Sequence, residues 1–301
     1  MLCNSFIIGL LSIFFGWSVP DSDREIIYAR RDGMGLTMTI LKPEQPNGKA
    51  VVSVLSGGWY SDHALFGLYK DRAQTFVDAG YTVFLAEHAS GPRYAIPEAL
   101  EDIQKAIQYV RYHAAEFDID PNRIGITGTS SGGHLALLAS TSDDVRDASA
   151  KDPMSRVSSK VQAVAVFSAP TDFLNYGKDR HSIRKEAAFL KAMRVEGCFR
   201  YTRYDEATDA YIAVPEAEML KIDSLMSPAQ LISQDDAPVY ISHGDKDDVV
   251  PLQQSRHFVS RLEKARVPVA LSVVKEAGHG WKDMNNDQKA FVFWFDRFLK
   301  K

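Results

Sequence analysis

Cysteine is almost absent: the 301-residue chain has two, Cys3 and Cys198. The first lies in an N-terminal stretch expected to be removed, and a single remaining cysteine closes no intramolecular disulfide. The fold must then rest on its core, and this length is enough to bury a large one in a single α/β domain. No motif surrounds Cys198, which reads as a packed or surface thiol. A surplus of positive charge is also absent. Against 39 Asp and Glu stand 35 Lys and Arg, a net charge of −4. That leaves no basic footprint for nucleic acid, and it points at no acidic ligand either. Internal repeats and low-complexity tracts are missing.

The one long apolar run, Phe6 to Val19, falls short of the roughly 20 residues a spanning helix needs. It fits the apolar region of a secretory signal better. Gly16 and Ser18 offer a small-x-small cleavage site before Val19, although no Lys or Arg precedes the run. The expectation is a signal peptide over 1–18 and a secreted or periplasmic mature chain, 19–301, with no stable membrane span after processing. A buried N-terminal helix or an uncleaved anchor is the alternative, and without a signal the protein stays cytoplasmic.

After the leader, short apolar runs alternate with amphipathic segments. Arg24 to Ala29 and Leu36 to Leu41 read as an antiparallel pair around an Asp32-Gly33 turn. Ala50 to Leu55 and Tyr81 to Ala86 read as buried strands, with Gly80 capping a helix that starts near Leu68. Pro97 opens a helix to about Phe117, with Leu100, Ile103, Ile107 and Val110 on one face. Further strands are expected at Ile124–Thr127, Val161–Phe167, Val239–Ser242 and Val269–Val274, with a helix at His134–Ser140 and another around Phe291, Trp294 and Phe298. Eight strands, the last six separated by helix-length segments, predict a mostly parallel sheet with helices on both faces. Two stretches interrupt the alternation. Ser142 to Lys160 is polar and reads as a surface loop. Phe173 to Asp236 is too long for an ordinary connection. Its aromatic content suggests a cap over a site rather than a solvated excursion.

Four places carry chemistry. Gly128-Thr129-Ser130-Ser131-Gly132 follows a strand and precedes a helix. A sharp strand-to-helix turn holds a serine clear of the backbone and leaves room only for glycine on either side. Alone, such a turn is also a helix N-terminus able to hold an anion. Leu55-Ser56-Gly57-Gly58-Trp59 ends an apolar strand. Its glycines let main-chain N–H groups approach a developing oxyanion, although a plain turn uses glycines too. His243-Gly244-Asp245-Lys246-Asp247-Asp248 follows another strand and supplies carboxylates, any of which could orient a histidine. Gly278-His279-Gly280 lies in the loop after the last strand. The order Ser, Asp, His, each at the carboxyl end of a strand, suits nucleophilic acyl transfer through Ser130 with His279 as base. That chemistry requires no metal and no organic cofactor.

With these motifs the chain resembles the α/β-hydrolase superfamily, above all its esterase/lipase branch that includes bacterial carbohydrate acetyl- and feruloyl-esterases. The resemblance runs from about Tyr28 to the C-terminus. It is carried also by Asp120-Pro121-Asn122-Arg123-Ile124, Ser131-Gly132-Gly133-His134-Leu135-Ala136, Ser168-Ala169-Pro170-Thr171-Asp172 and Ser227-Pro228. It implies an α/β-hydrolase fold and a serine hydrolase of carboxylic esters, short-chain or acetyl, whose substrate is a small molecule or carbohydrate ester. The family's H-G-x-x-D spacing selects Asp247 as the acid. Asp245 then supports the turn, and Asp248, adjacent to Asp247, points away. The implied oxyanion donors are the N–H groups of Ser131 and of one or both of Gly57 and Gly58. Two departures stand out. Leu55 and Ser56 replace the His-Gly of the usual His-Gly-Gly-Gly-Trp, whose histidine braces that loop. Glu87-His88-Ala89-Ser90-Gly91 stands where relatives often have Asp-Tyr-Arg. A serine peptidase of the same fold and a non-catalytic binding protein are the competing readings.

Overall fold

The computed structural model describes residues 23–300; the expected leader and its cleavage position lie outside them. In chain order the elements are β1 (Asp23–Arg31), β2 (Met34–Leu41), β3 (Ala50–Val54), α1 (Phe66–Asp78), β4 (Thr82–Ala86), α2 (Ile96–Tyr112), β5 (Ile124–Thr129), α3 (Ser131–Thr141), β6 (Ala163–Phe167), α4 (Ala187–Ala192), β7 (Thr202–Asp205), β8 (Ala210–Ala213), α5 (Glu216–Leu225), α6 (Pro228–Leu231), β9 (Val239–Gly244), α7 (Gln253–Lys264), β10 (Val269–Val274) and α8 (Met284–Phe298).

Eight strands form one sheet in the order β1-β2-β4-β3-β5-β6-β9-β10. β2 runs antiparallel to both β1 and β4, and every later neighbour is parallel. This is the mostly parallel α/β sheet that the alternation of apolar runs predicts. The β1–β2 turn is tight because Asp32 and Gly33 both take positive φ, 48° and 82°, which matches the twist of the flanking strands.

Successive residues of the central strands face opposite sides, and the core divides accordingly. Val52, Val54, Phe84, Ile126 and Val166 pack on one face with Ile103 and Ile107 of α2, Leu135 and Leu137 of α3 and Phe258 of α7. Val51, Val83, Leu85, Ala165 and Phe167 pack on the other with Phe76 of α1 and Phe291 and Phe295 of α8. Every residue of α3 is buried, so the helix that starts at the candidate serine is anchored in the core along its whole length.

Helix α2 ends at Tyr112, short of the expected Phe117. Phe117 is nevertheless buried, with its ring 5.0 Å from that of Phe84, so the apolar pattern outlasts the helix. The segment 173–236 contains a feature with no apolar periodicity to announce it, the hairpin β7–β8. Its strands are largely exposed because they face solvent rather than core. Among the described residues no helix is long and apolar enough to cross a membrane.

Candidate active site

Ser130 stands between β5 and α3 with φ 56° and ψ −124°, a conformation that costs a non-glycine residue about 1–3 kcal/mol. Its surroundings enforce that cost. Ser130 N donates to Phe167 O at 2.9 Å, and His134 N donates to Ser130 O at 2.8 Å. The flanking glycines are sterically required. A Cβ on Gly128 would lie 2.4 Å from the Gly132 carbonyl, and one on Gly132 would lie 2.6 Å from Val54 O.

Two loops bring the partners to this turn. Gly244 ends β9, and a Cβ there would sit 2.2 Å from Ala277 O and 2.4 Å from Gly278 O. Only glycine lets the His279 loop press against the strand. The two loops are then joined by Asp245 N to Val274 O at 3.0 Å, Lys246 N to Ala277 O at 2.9 Å and Glu276 N to the Asp245 carboxylate at 2.7 Å. The glycines beside His279 are less constrained: a Cβ on Gly278 or Gly280 would meet nothing closer than 3.8 Å.

The result is a continuous chain of hydrogen bonds. His279 Nε2 lies 2.9 Å from Ser130 Oγ, and His279 Nδ1 lies 2.9 Å from Asp247 Oδ2. Asp247 Oδ1 accepts from the N–H groups of Val249 at 2.9 Å and Val250 at 2.8 Å. Burial alone would raise the Asp247 carboxyl, but hydrogen bonds from His243, His279 and Val250 N–H outweigh it and hold the group well below the usual carboxylate range. Asp245 and Asp248 take no part in this chain.

His243 was not singled out from sequence as a site residue. It is fully buried, with Nε2 3.2 Å from Asp247 Oδ2 and 2.9 Å from Val250 O, and Nδ1 2.7 Å from Ser255 Oγ. It carries the H of the H-G-x-x-D pattern, and that was its only signal. His134, also unassigned, accepts from Trp59 Nε1 at its Nδ1 (3.0 Å) and donates from Nε2 to Met226 O (2.8 Å). Burial pushes its imidazole down to about 4, so it stays neutral. Trp59 further packs edge-on against Phe173 and Phe199, joining the glycine loop to the segment 173–236.

The candidate oxyanion donors are not equivalent. Gly57 N donates to Tyr60 O at 2.9 Å, so its N–H is already used in a local turn. The Gly58 N–H makes no hydrogen bond among the described residues, and Ser131 is the first residue of α3, whose leading N–H groups have no intrahelical acceptor. The long segment reaches both sides of the site. A Cβ on Gly58 would meet Val195 Cγ1 at 2.9 Å, Tyr60 Oη donates to Arg194 O at 2.9 Å, and Tyr176 Oη donates to Val249 O at 2.7 Å. Cys198 is buried beside the same loop. Among the described residues no three His, Cys, Asp or Glu side chains cluster as a metal site.

Comparison with known proteins agrees with this architecture. The BD-FAE family model matches residues 38–262, a span that contains Ser130 and Asp247 and stops before His279. The chain is 27% identical over 232 residues to "Probable carboxylic ester hydrolase LipM" of Mycobacterium tuberculosis, covering 77% of this chain and 49% of that one. It is 27% identical over 246 residues to "Esterase LipC" of the same organism, covering 79% and 54%. It thus spans about half the length of these relatives. Among solved structures, the thermophilic esterase Est2 of the planctomycete Thermogutta terrifontis superposes with a TM-score of 0.69 at 25% identity, covering 93% of this chain and 92% of that one. A truncated carbohydrate esterase from gut microbiota has the same TM-score at 22% identity, covering 94% and 99%, a likeness of fold. The family match spans well over half of the chain, and the chain belongs to the BD-FAE family, built on an α/β-hydrolase fold.

Proposed function

We propose that the protein hydrolyses carboxylic esters through an acyl-Ser130 intermediate. One observation carries the reading: a strained serine 2.9 Å from His279 Nε2, with the opposite ring nitrogen 2.9 Å from a buried carboxylate. Ser130 Oγ attacks the ester carbonyl while His279 Nε2 takes its proton. Asp247 holds the imidazole in the tautomer with Nδ1–H and stabilises the imidazolium. The charge that develops on the carbonyl oxygen is met by the N–H groups of Gly58 and Ser131, the latter at the positive end of α3. His279 returns its proton to the leaving alkoxide, and then activates the water that releases the acid.

The substrates are read as short-chain esters, above all acetyl esters of carbohydrates. Support comes from the esterases among the relatives and from the carbohydrate esterase among the neighbours of like fold. The segment 173–236 is read as a cap, on the strength of its contacts with both the Gly58 loop and the Asp247 loop. The leader over 1–18 is read as directing export, on its apolar run and small-residue cleavage site.

Labelling with a fluorescent phosphonate and hydrolysis of nitrophenyl acetate test the mechanism. The wild-type protein is expected to do both. Ser130→Ala is expected to take no label and to lose about 10⁴-fold or more in turnover, because serine and histidine act as a unit. A folded Ser130→Ala variant with near-normal turnover refutes the mechanism.

A further inference from the structure

Gly58 is the first residue of its loop whose N–H is free, and the residues before it are fastened one by one. Leu55 N donates to Ala86 O at 2.9 Å, and Leu55 O accepts from Ser61 Oγ at 2.6 Å. Gly57 exchanges two hydrogen bonds with Tyr60, at 2.9 and 3.0 Å. Between them, both main-chain groups of Ser56 meet one side chain. Tyr69 Oη donates to Ser56 O at 2.7 Å and lies 3.3 Å from Ser56 N, from which it accepts. The side chain of Ser56 completes the arrangement, its Oγ 3.1 Å from Ser131 Oγ. Ser56 thus ties the loop of one proposed donor to the residue that carries the other.

We propose that Tyr69, acting with Ser56, is the positioning residue of the oxyanion site. The inference rests on the serine-hydrolase reading above. Donors to an oxyanion act by being fixed before the charge appears. The stretch that presents Gly58 N–H is intrinsically loose, with two consecutive glycines and positive φ at Gly58 and Trp59, 59° and 60°. Leu55 and Ser56 offer no imidazole to brace it. A rigid helix supplies the brace instead. Tyr69 is buried on α1, which is held in the core by Ala73 and Phe76. Burial raises its phenol, so the hydroxyl remains protonated and able to donate. The hydroxyl meets no reacting atom; its effect passes through the Ser56 peptide groups to Gly58.

Tyr69→Phe removes both bonds and keeps the ring, and Ser56→Ala removes only the link to Ser131. Each is measured in the full chain for kcat and KM on nitrophenyl acetate, for Ki of a trifluoromethyl ketone that forms a tetrahedral oxyanion adduct, and for thermal stability. A positioning role predicts kcat about 10-fold lower in each variant, since small misplacements of a working group are costly. KM is expected to stay within about 2-fold, while Ki rises by the same factor as kcat/KM falls, because only the transition state meets the donors. The double variant should lose less than the product of the two, as both act on one loop. A merely structural hydroxyl would lower the melting temperature and leave kcat and Ki unchanged. That result in folded variants, with an active wild type and an inactive Ser130→Ala, overturns the positioning role and leaves the serine-hydrolase reading intact. If Tyr69→Phe does not fold, 4-aminophenylalanine at position 69, which keeps the ring and a donor to Ser56 O but accepts poorly from Ser56 N, takes its place: lowered kcat at unchanged KM supports the role, and unchanged kcat and Ki overturn it. A wild-type protein that neither hydrolyses esters nor takes the phosphonate overturns both.

Discussion

One carboxylate, Asp247, is met by four N–H groups: those of Val249, Val250 and His279 Nδ1 donate to it, and His243 Nε2, whose nearer acceptor is Val250 O at 2.9 Å, lies 3.2 Å from its Oδ2. All four favour its ionised form, and they fix its orientation before any substrate arrives. An asparagine at this position cannot satisfy them all. If its oxygen keeps the two backbone donors, its NH₂ group faces His279. The imidazole must then accept at Nδ1 and carry its proton on Nε2, pointing at Ser130. A serine that faces an N–H has lost its base. Asp247→Asn is therefore expected to lower kcat by roughly 10²- to 10⁴-fold. Asp245 uses one carboxylate oxygen to accept from Glu276 N at the exposed rim of the same loops, and an amide oxygen does that as well. Asp245→Asn should change kcat by less than about 3-fold, since an exposed polar exchange that keeps its acceptor perturbs little. Steady-state kinetics of the two purified variants check both expectations. The reverse ranking would move the acid two residues upstream.

At the scale of elements, what was legible in the sequence was whatever repeats with the period of a strand or a helix, and whatever a turn can accept only as glycine. The strand–GTSSG–helix unit is of this kind, because Gly128 and Gly132 touch backbone. Contacts made across long stretches of chain were not legible. Tyr69 falls on an apolar face of α1, where periodicity signals burial without naming Ser56 as its partner. Gly244 matters more than the glycines beside His279, and only the three-dimensional approach of two loops reveals it. The aromatic residues of 173–236 likewise divide in a way that composition cannot foresee. Tyr176, Phe199 and Tyr201 are buried, whereas Tyr204 and Tyr211 are exposed on the β7–β8 hairpin. Within this segment an ionic node ties distant parts together. Asp223, wholly buried, accepts from Arg184 Nε at 2.5 Å, Arg184 Nη2 at 2.9 Å and Tyr201 Oη at 2.8 Å. Breaking such a pair from one side leaves a buried charge unmatched. Arg184→Ala, which leaves the wholly buried Asp223 carboxylate without its cation, is expected to destabilise the protein by about 3–5 kcal/mol, read from guanidinium unfolding midpoints. A loss below about 1 kcal/mol would place the node among weak surface pairs.

For the molecule as a whole, the question is whether the long segment is a separate flap or part of one cooperative unit. Ile183, Leu190, Val195, Cys198 and Phe199 belong to the same continuous cluster as the sheet residues Val52, Ile126 and Val166 and the helix residues Ile103 and Leu135. A segment that shares a core with the sheet cannot open without exposing that core, so it should unfold with the rest. Cys198 supplies a natural reporter. It is the only cysteine among the described residues and is completely buried. Burial also pushes its thiol up to about 12, and reagents attack the thiolate rather than the thiol. In a chain that begins at Val19, Cys198 is the only cysteine, and Ellman's reagent then reads a single group. The native protein is expected to resist labelling for hours and to react with one equivalent as soon as it unfolds. Along a guanidinium titration, the labelled fraction in brief pulses should follow the loss of tryptophan fluorescence with the same midpoint. Reductant should leave the melting temperature unchanged, because no disulfide contributes to it. Fast labelling of Cys198 in the absence of denaturant, with tryptophan fluorescence still native, would show the segment opening by itself and would refute the single cooperative unit.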